Sequence, residues 1–111
     1  MTKARVEQLI KATNAFDVDA ALALFAPRAV IEDVSVGETF SGKASVRRYL
    51  EQFFAGYHTV STVISVESAD DLHADAHLDF TGDFGHETGW LKLTFDAAGR
   101  IARIDADLDP R

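Results

Sequence analysis

The stretch Ala29-Val30-Ile31-Glu32-Asp33-Val34-Ser35-Val36-Gly37-Glu38-Thr39-Phe40-Ser41-Gly42 reads as a short strand, a turn, a second short strand and the start of a helix. In the first strand the alternation puts Ala29, Ile31 and Asp33 on one face and Val30 and Glu32 on the other. A carboxyl group on the face of Ile31 points where apolar groups point. Burial disfavours the charged form of such a group, which is one way to make a general base. The rest of the chain reads as a container around that position.

Upstream lie two helices. Val6, Leu9, Ile10 and Thr13 recur at helical spacing in a segment from about Thr2 to Ala15. Asp17 is placed as the N-cap of a second helix, with Val18, Ala21, Leu22 and Phe25 as its stripe. Ala26-Pro27 should close it, because proline disfavours a helical residue before it. Downstream, a third helix is expected from about Lys43 to Ala55, with Val46, Tyr49, Leu50, Phe53 and Phe54 on its apolar face.

From Tyr57 the period changes to two. The segment from Tyr57 to Ser68 reads as a long strand with Val60, Thr62, Ile64 and Val66 in phase. Asp70-Asp71 marks a turn. Leu72, Ala74, Ala76, Leu78 and Phe80 then face one way, and His73, Asp75, His77 and Asp79 the other. In the strand from His86 to Phe95, Leu91, Leu93 and Phe95 oppose Trp90 and Lys92. Asp96-Ala97-Ala98-Gly99 is a tight hairpin, and Arg100 to Leu108 is the last strand. Three helices followed by successive strands predict an α+β fold with an antiparallel sheet carrying its helices on one face.

The 111 residues suit one domain with one core. A hydrophobic share of 47% with 26% charged residues excludes a disordered chain. No apolar run approaches a membrane span, and the N-terminus has no basic-then-apolar leader, so a cytoplasmic location is the expectation. The absence of cysteine excludes disulfides, thiolate metal sites and a cysteine nucleophile. The net charge of −7 falls wholly on residues 57–111. That sign repels phosphate backbones and anionic lipid, which argues against nucleic-acid and membrane partners.

The order of elements resembles the nuclear transport factor 2-like superfamily, closest in its SnoaL-like and ketosteroid-isomerase-like branches. The likeness is carried by Asn14-Ala-Phe-Asp-Val-Asp-Ala-Ala-Leu-Ala-Leu-Phe-Ala26, by Ala29-Val-Ile-Glu-Asp33, by the helix start after Ser41-Gly42 and by the Phe95-Asp-Ala-Ala-Gly99 hairpin. It covers nearly the whole chain and implies a single domain over residues 1–111: a cone in which a strongly curved sheet wraps around three N-terminal helices and encloses a pocket. In the ketosteroid isomerases a carboxylate at the end of the first strand shuttles the proton, and Asp33 falls there. The family also polarises the substrate carbonyl with a tyrosine from the first helix and an aspartate from the sheet. Those register positions hold Leu9 and Leu91 here. Losing even one such donor typically costs about 2.7–4 kcal/mol of transition-state stabilisation. The usual steroid isomerase reaction is therefore not expected.

Two readings of Asp33 stay open: a base acting next to a carbonyl, or an aspartate bonding the amides of the turn that follows it. His58, in phase with Val60 and Ile64, is expected inward as a second catalytic candidate, a proton shuttle or donor. Leu9, Phe16, Tyr49, Phe53, Phe54, Tyr57 and Leu91 are the expected ligand-binding residues. His73, Asp75, His77 and Asp79 resemble metal ligands on paper. Alternate strand residues stand about 6.6–6.8 Å apart, however, and pairing with Lys92 and Arg103 is the simpler account. Neither a metal nor another cofactor is expected, because acid-base chemistry needs only side chains. Trp90 on the polar face suggests a covered surface, and the resemblance implies a homodimer through it. The functional expectation is a pocket protein for a small apolar molecule. It would be an isomerase- or cyclase-type enzyme using Asp33, or else a non-catalytic ligand-binding or assembly module.

Overall fold

The computed structural model describes residues 2–110. Helix α1 spans Thr2–Asn14 and α2 spans Val18–Leu22. Strands β1 (Phe25–Asp33) and β2 (Glu38–Ser41) form a hairpin before α3 (Lys43–Leu50), which runs on into a π-helical turn, Glu51–Ala55. Strands β3 (Val60–Asp70), β4 (His73–Gly82), β5 (Gly85–Phe95) and β6 (Ile101–Leu108) follow. The six strands make one curved, unclosed sheet in the order β2-β1-β6-β5-β4-β3. This is the α+β architecture expected, with the N-terminal helices on one face.

The sheet is mixed, whereas the sequence suggested an antiparallel one. β6 returns beside β1 in the same direction, pairing Ile31 with Ile104 and Asp33 with Ala106. The other pairings are antiparallel. No local pattern encodes this, because β1 and β6 are joined only through the whole intervening chain.

The stripe of α1 is buried as read: Val6, Leu9, Ile10 and Thr13 face the core. Asp17 caps α2, its Oδ1 accepting from the Ala20 amide at 3.0 Å. The end of α2 differs from expectation. The helix stops at Leu22, and Phe25 already belongs to β1, where it is almost fully buried. Pro27 therefore sits inside a strand. Having no N–H, it falls where the β1–β6 ladder is interrupted, between Phe25 and Val30.

The facing of β3 also differs. Val60, Thr62 and Ile64 point outward, and Ser61 is the buried residue. A bulge between Val63 and Ser65 then switches the phase, so that only Val66 of the expected set packs against the core. One extra residue inverts every facing before it. Leu72, expected on the inner face of β4, lies exposed in the preceding turn, while Ala74, Ala76, Leu78 and Phe80 are buried as read. In the β5–β6 hairpin, Gly99 adopts φ 81°, a region that glycine enters without steric cost.

Candidate functional site

The inner face of the sheet and the third helix enclose a cavity of about 310 Å³, at the low end of the roughly 300–1,000 Å³ typical of ligand pockets. Asp33 stands on its wall, only 7% exposed, as the last residue of β1. Alternation from Ala29 and Ile31 carries it inward. Its Oδ1 accepts from the Ser35 amide at 3.0 Å and from the Ser35 hydroxyl at 2.5 Å. Its Oδ2 accepts from the Tyr49 hydroxyl at 2.6 Å. Three donors thus replace the water lost on burial. Tyr49 comes from the buried face of α3, and its phenol is pushed well above its ordinary pKa, first by burial, then by the charge of Asp33 and their hydrogen bond.

Both readings of Asp33 thus have their geometry. The carboxylate bonds the turn that follows it, and it also lines a hollow. Ser35 is a contributor the sequence reading missed. The signal was there, in an aspartate two residues before a potential amide donor in a turn.

Of the expected ligand-binding residues, Tyr49, Phe53, Phe54, Tyr57 and Leu91 line the cavity. Leu9 meets Leu91, Tyr49 and Ile104 in a small apolar cleft that shares Tyr49, Phe54 and Leu91 with the cavity. The two leucines that the resemblance put in donor positions therefore come together as hydrocarbon. Thr59, Phe80, Phe84, Glu87 and Ala106 also line the cavity and were not singled out in the sequence.

Two expectations are corrected. Phe16 does not line the cavity. It ends α1 in the left-handed conformation at φ 57°, and the Asp17 amide reaches back to the Ala12 carbonyl at 3.0 Å, so its ring leaves the helical stripe. It packs edge-on against His58, centroids 5.6 Å apart. His58 is not inward either. The turn that closes the helix gives it φ 53°, and its side chain is 65% exposed and pairs with Asp83 at 2.9 Å. The outward phase of Val60 after it has the same origin. The Asp83 amide nevertheless donates to the Tyr57 carbonyl at 2.8 Å, which ties this turn to the β4–β5 hairpin at the cavity's edge.

The polar face of the sheet is paired within itself. Arg103 binds Glu32 and Asp105, at 2.5 and 2.8 Å. His77 binds Asp109 at 2.7 Å and stacks on Trp90, centroids 4.4 Å apart and nearly parallel. Asp75 lies opposite Lys92 in the β4–β5 ladder. Among the described residues no group of three or more His, Cys, Asp or Glu is arranged to hold a metal ion. No described helix is long and apolar enough to cross a membrane.

Comparison with known proteins bears on this geometry. The family model of the SnoaL-like domain matches residues 6–105. The chain belongs to the SnoaL-like domain family. Among solved structures, this SnoaL-like chain is similar to a candidate polyketide cyclase, SMa1630 of Sinorhizobium meliloti. The two share 26% identity with a TM-score of 0.83, over 93% of each chain. It is similar also to RV0760c of Mycobacterium tuberculosis in complex with estradiol-17beta-hemisuccinate, with 21% identity and a TM-score of 0.84 over 95% of this chain and 91% of that one. The epoxide hydrolase/cyclase-like enzyme SalBIII, from pyran ring formation in the polyether salinomycin, is similar at 19% identity and TM-score 0.86, over 97% of this chain and 90% of that one. A search of curated protein sequences returns no match.

Proposed function

We propose that this SnoaL-like chain binds a small, largely apolar carbonyl compound in its cavity and that Asp33 acts there as a general base of isomerase or cyclase type. The observation that carries the reading is a buried carboxylate on the wall of an apolar hollow, oriented by the Tyr49 hydroxyl. Asp33 takes the proton from the carbon next to the carbonyl, and the electron pair moves onto the carbonyl oxygen. Return of the proton to a conjugated carbon shifts a double bond. Attack of the enolate carbon on a second carbonyl closes a ring. The cavity's polar groups besides Asp33 include the hydroxyls of Tyr57 and Thr59, and Tyr57 is the natural partner for the developing oxyanion. His58 has no role in this scheme.

The similar structures support the reading at the level of the fold. One of them is a candidate polyketide cyclase, and another holds a steroid ester. The second reading, a non-catalytic binding or assembly module, is favoured by one observation: Leu9 and Leu91 leave the cavity without the donor pair of the isomerases. No cofactor is needed in either scheme. A homodimer through the outer sheet face around Trp90 belongs to the same proposal and is tested by sedimentation of the Trp90→Glu chain.

Hydrogen–deuterium exchange separates the two readings. β-Tetralone in D2O loses its α-proton signals with time. Acceleration by the protein that disappears in Asp33→Asn supports catalysis by Asp33. Equal acceleration by both chains removes Asp33 from the mechanism. Binding without acceleration leaves the non-catalytic reading standing.

A further inference from the structure

We propose that the ligand is an organic cation: an apolar molecule whose ammonium end seats at Glu87 among the rings of the cavity wall, with its carbonyl end toward Asp33. This rests on the reading of the cavity as a binding site and narrows the class of ligand it takes.

The first argument is the wall itself. Aromatic rings form a connected surface from Tyr49 to Phe53 at 5.1 Å, on to Tyr57 at 5.8 Å and on to Phe84 at 6.2 Å. A second branch runs from Tyr49 to Phe54 at 6.0 Å and then to Phe80 at 6.5 Å. Ring faces carry negative electrostatic potential and attract ammonium groups.

The second argument is charge. Asp33, Glu87 and Asp107 line the cavity, and no lysine, arginine or histidine does. An anionic ligand would meet like charge with nothing to offset it, whereas a cation meets only complementary groups. Asp33 sharpens the point. Its three hydrogen-bond donors are all uncharged, and none of the ion pairs among the described residues includes it. Buried charges in folded proteins normally have a partner of opposite sign. Here the open side of that carboxylate is the cavity.

The third argument is placement. Glu87 faces inward on β5, opposite Phe80 in the β4 ladder. Leu91 lies four residues further on, about 14 Å along an extended strand. Leu91 pairs with Ala106, and Ala106 with Asp33. The two inward carboxylates therefore mark opposite ends of one hollow. A ligand with a cationic end and a carbonyl end can satisfy both.

The test compares two probes of equal shape by NMR titration of the full chain: benzyltrimethylammonium and its uncharged carbon isostere, neopentylbenzene. The expected result is affinity for the cation about tenfold or more above that for the isostere, with shifts at Leu91, Ala106 and Phe80. In Glu87→Gln that preference shrinks while binding of the isostere is unchanged. Equal or tighter binding of the isostere by the unmodified chain overturns the inference and leaves the cavity reading intact. An undiminished preference in Glu87→Gln overturns the seating at Glu87. If neither probe shifts a cavity residue, the inference and the binding reading fail together.

Discussion

The Tyr49 hydroxyl donates to Asp33 Oδ2 over 2.6 Å, joining the buried face of α3 to the last residue of β1. The bond fixes one side of the cavity and one oxygen of the candidate base. Tyr49→Phe keeps the ring, which packs edge-on against Phe40 at 4.9 Å, and removes only the donor. Leaving a buried acceptor short of its partner costs about 1–3 kcal/mol. Urea unfolding of the variant should show that loss with an unchanged slope. An unchanged midpoint would mean that the bond holds nothing in place.

The same pair makes stability fall in alkali. The Tyr49 pKa is raised well above its ordinary 10.0 in the folded chain, chiefly by burial. Above that ordinary value the unfolded chain releases the phenolic proton while the folded chain retains it. The stabilisation is therefore complete below pH 10 and is lost as pH rises toward the raised value. Denaturation midpoints followed from pH 9 upward should decline, and the decline should be weaker in Tyr49→Phe.

His58 should prove dispensable to the cavity. Its side chain is exposed and its partner Asp83 is 61% exposed. Such pairs are worth about 0–1 kcal/mol. Asparagine tolerates the left-handed backbone at this position, so His58→Asn should change stability by less than about 1 kcal/mol. Titration with any cavity ligand should give an unaltered affinity. A large loss of affinity would bring the histidine back into the site.

Gly89 should resist even alanine. It faces inward on β5 opposite Leu108, and a β-carbon there would collide with the Asp107 carbonyl oxygen. That obstacle is backbone, which cannot rotate away as a side chain would. Gly89→Ala should cost about 1–3 kcal/mol in thermal or urea unfolding, with amide shifts concentrated in β5 and β6.

Acid should unpick the outer face. The Asp109 carboxyl is held below its ordinary 3.8 by hydrogen bonds from His77 and then Thr88. A depressed folded pKa contributes stability that is present above the ordinary value and lost as pH falls through the folded one. Asp109→Asn should flatten the acid limb of the stability profile below about pH 4. Trp90, stacked on His77 and the only tryptophan, reports the local change by fluorescence.

The sequence alone determined what short-range periodicity can encode. The stripe of α1, the cap at Asp17, the alternation of β4 and the inward turn of Asp33 each follow from a few neighbouring residues, and each appears in the fold. The pairing of β1 with β6 did not, because parallel neighbours far apart in the chain leave no local mark. Nor did the facing of His58 and Val60, which a single bulge downstream and a left-handed turn upstream decide together. The partners of Asp33 divide the same way. Ser35 was within reach of a turn rule, whereas Tyr49 and Glu87 reach the cavity on elements that only the folding of the sheet around α3 brings alongside β1. A carboxylate's surroundings are a three-dimensional property, since burial and donors arrive from every strand and helix that closes over it.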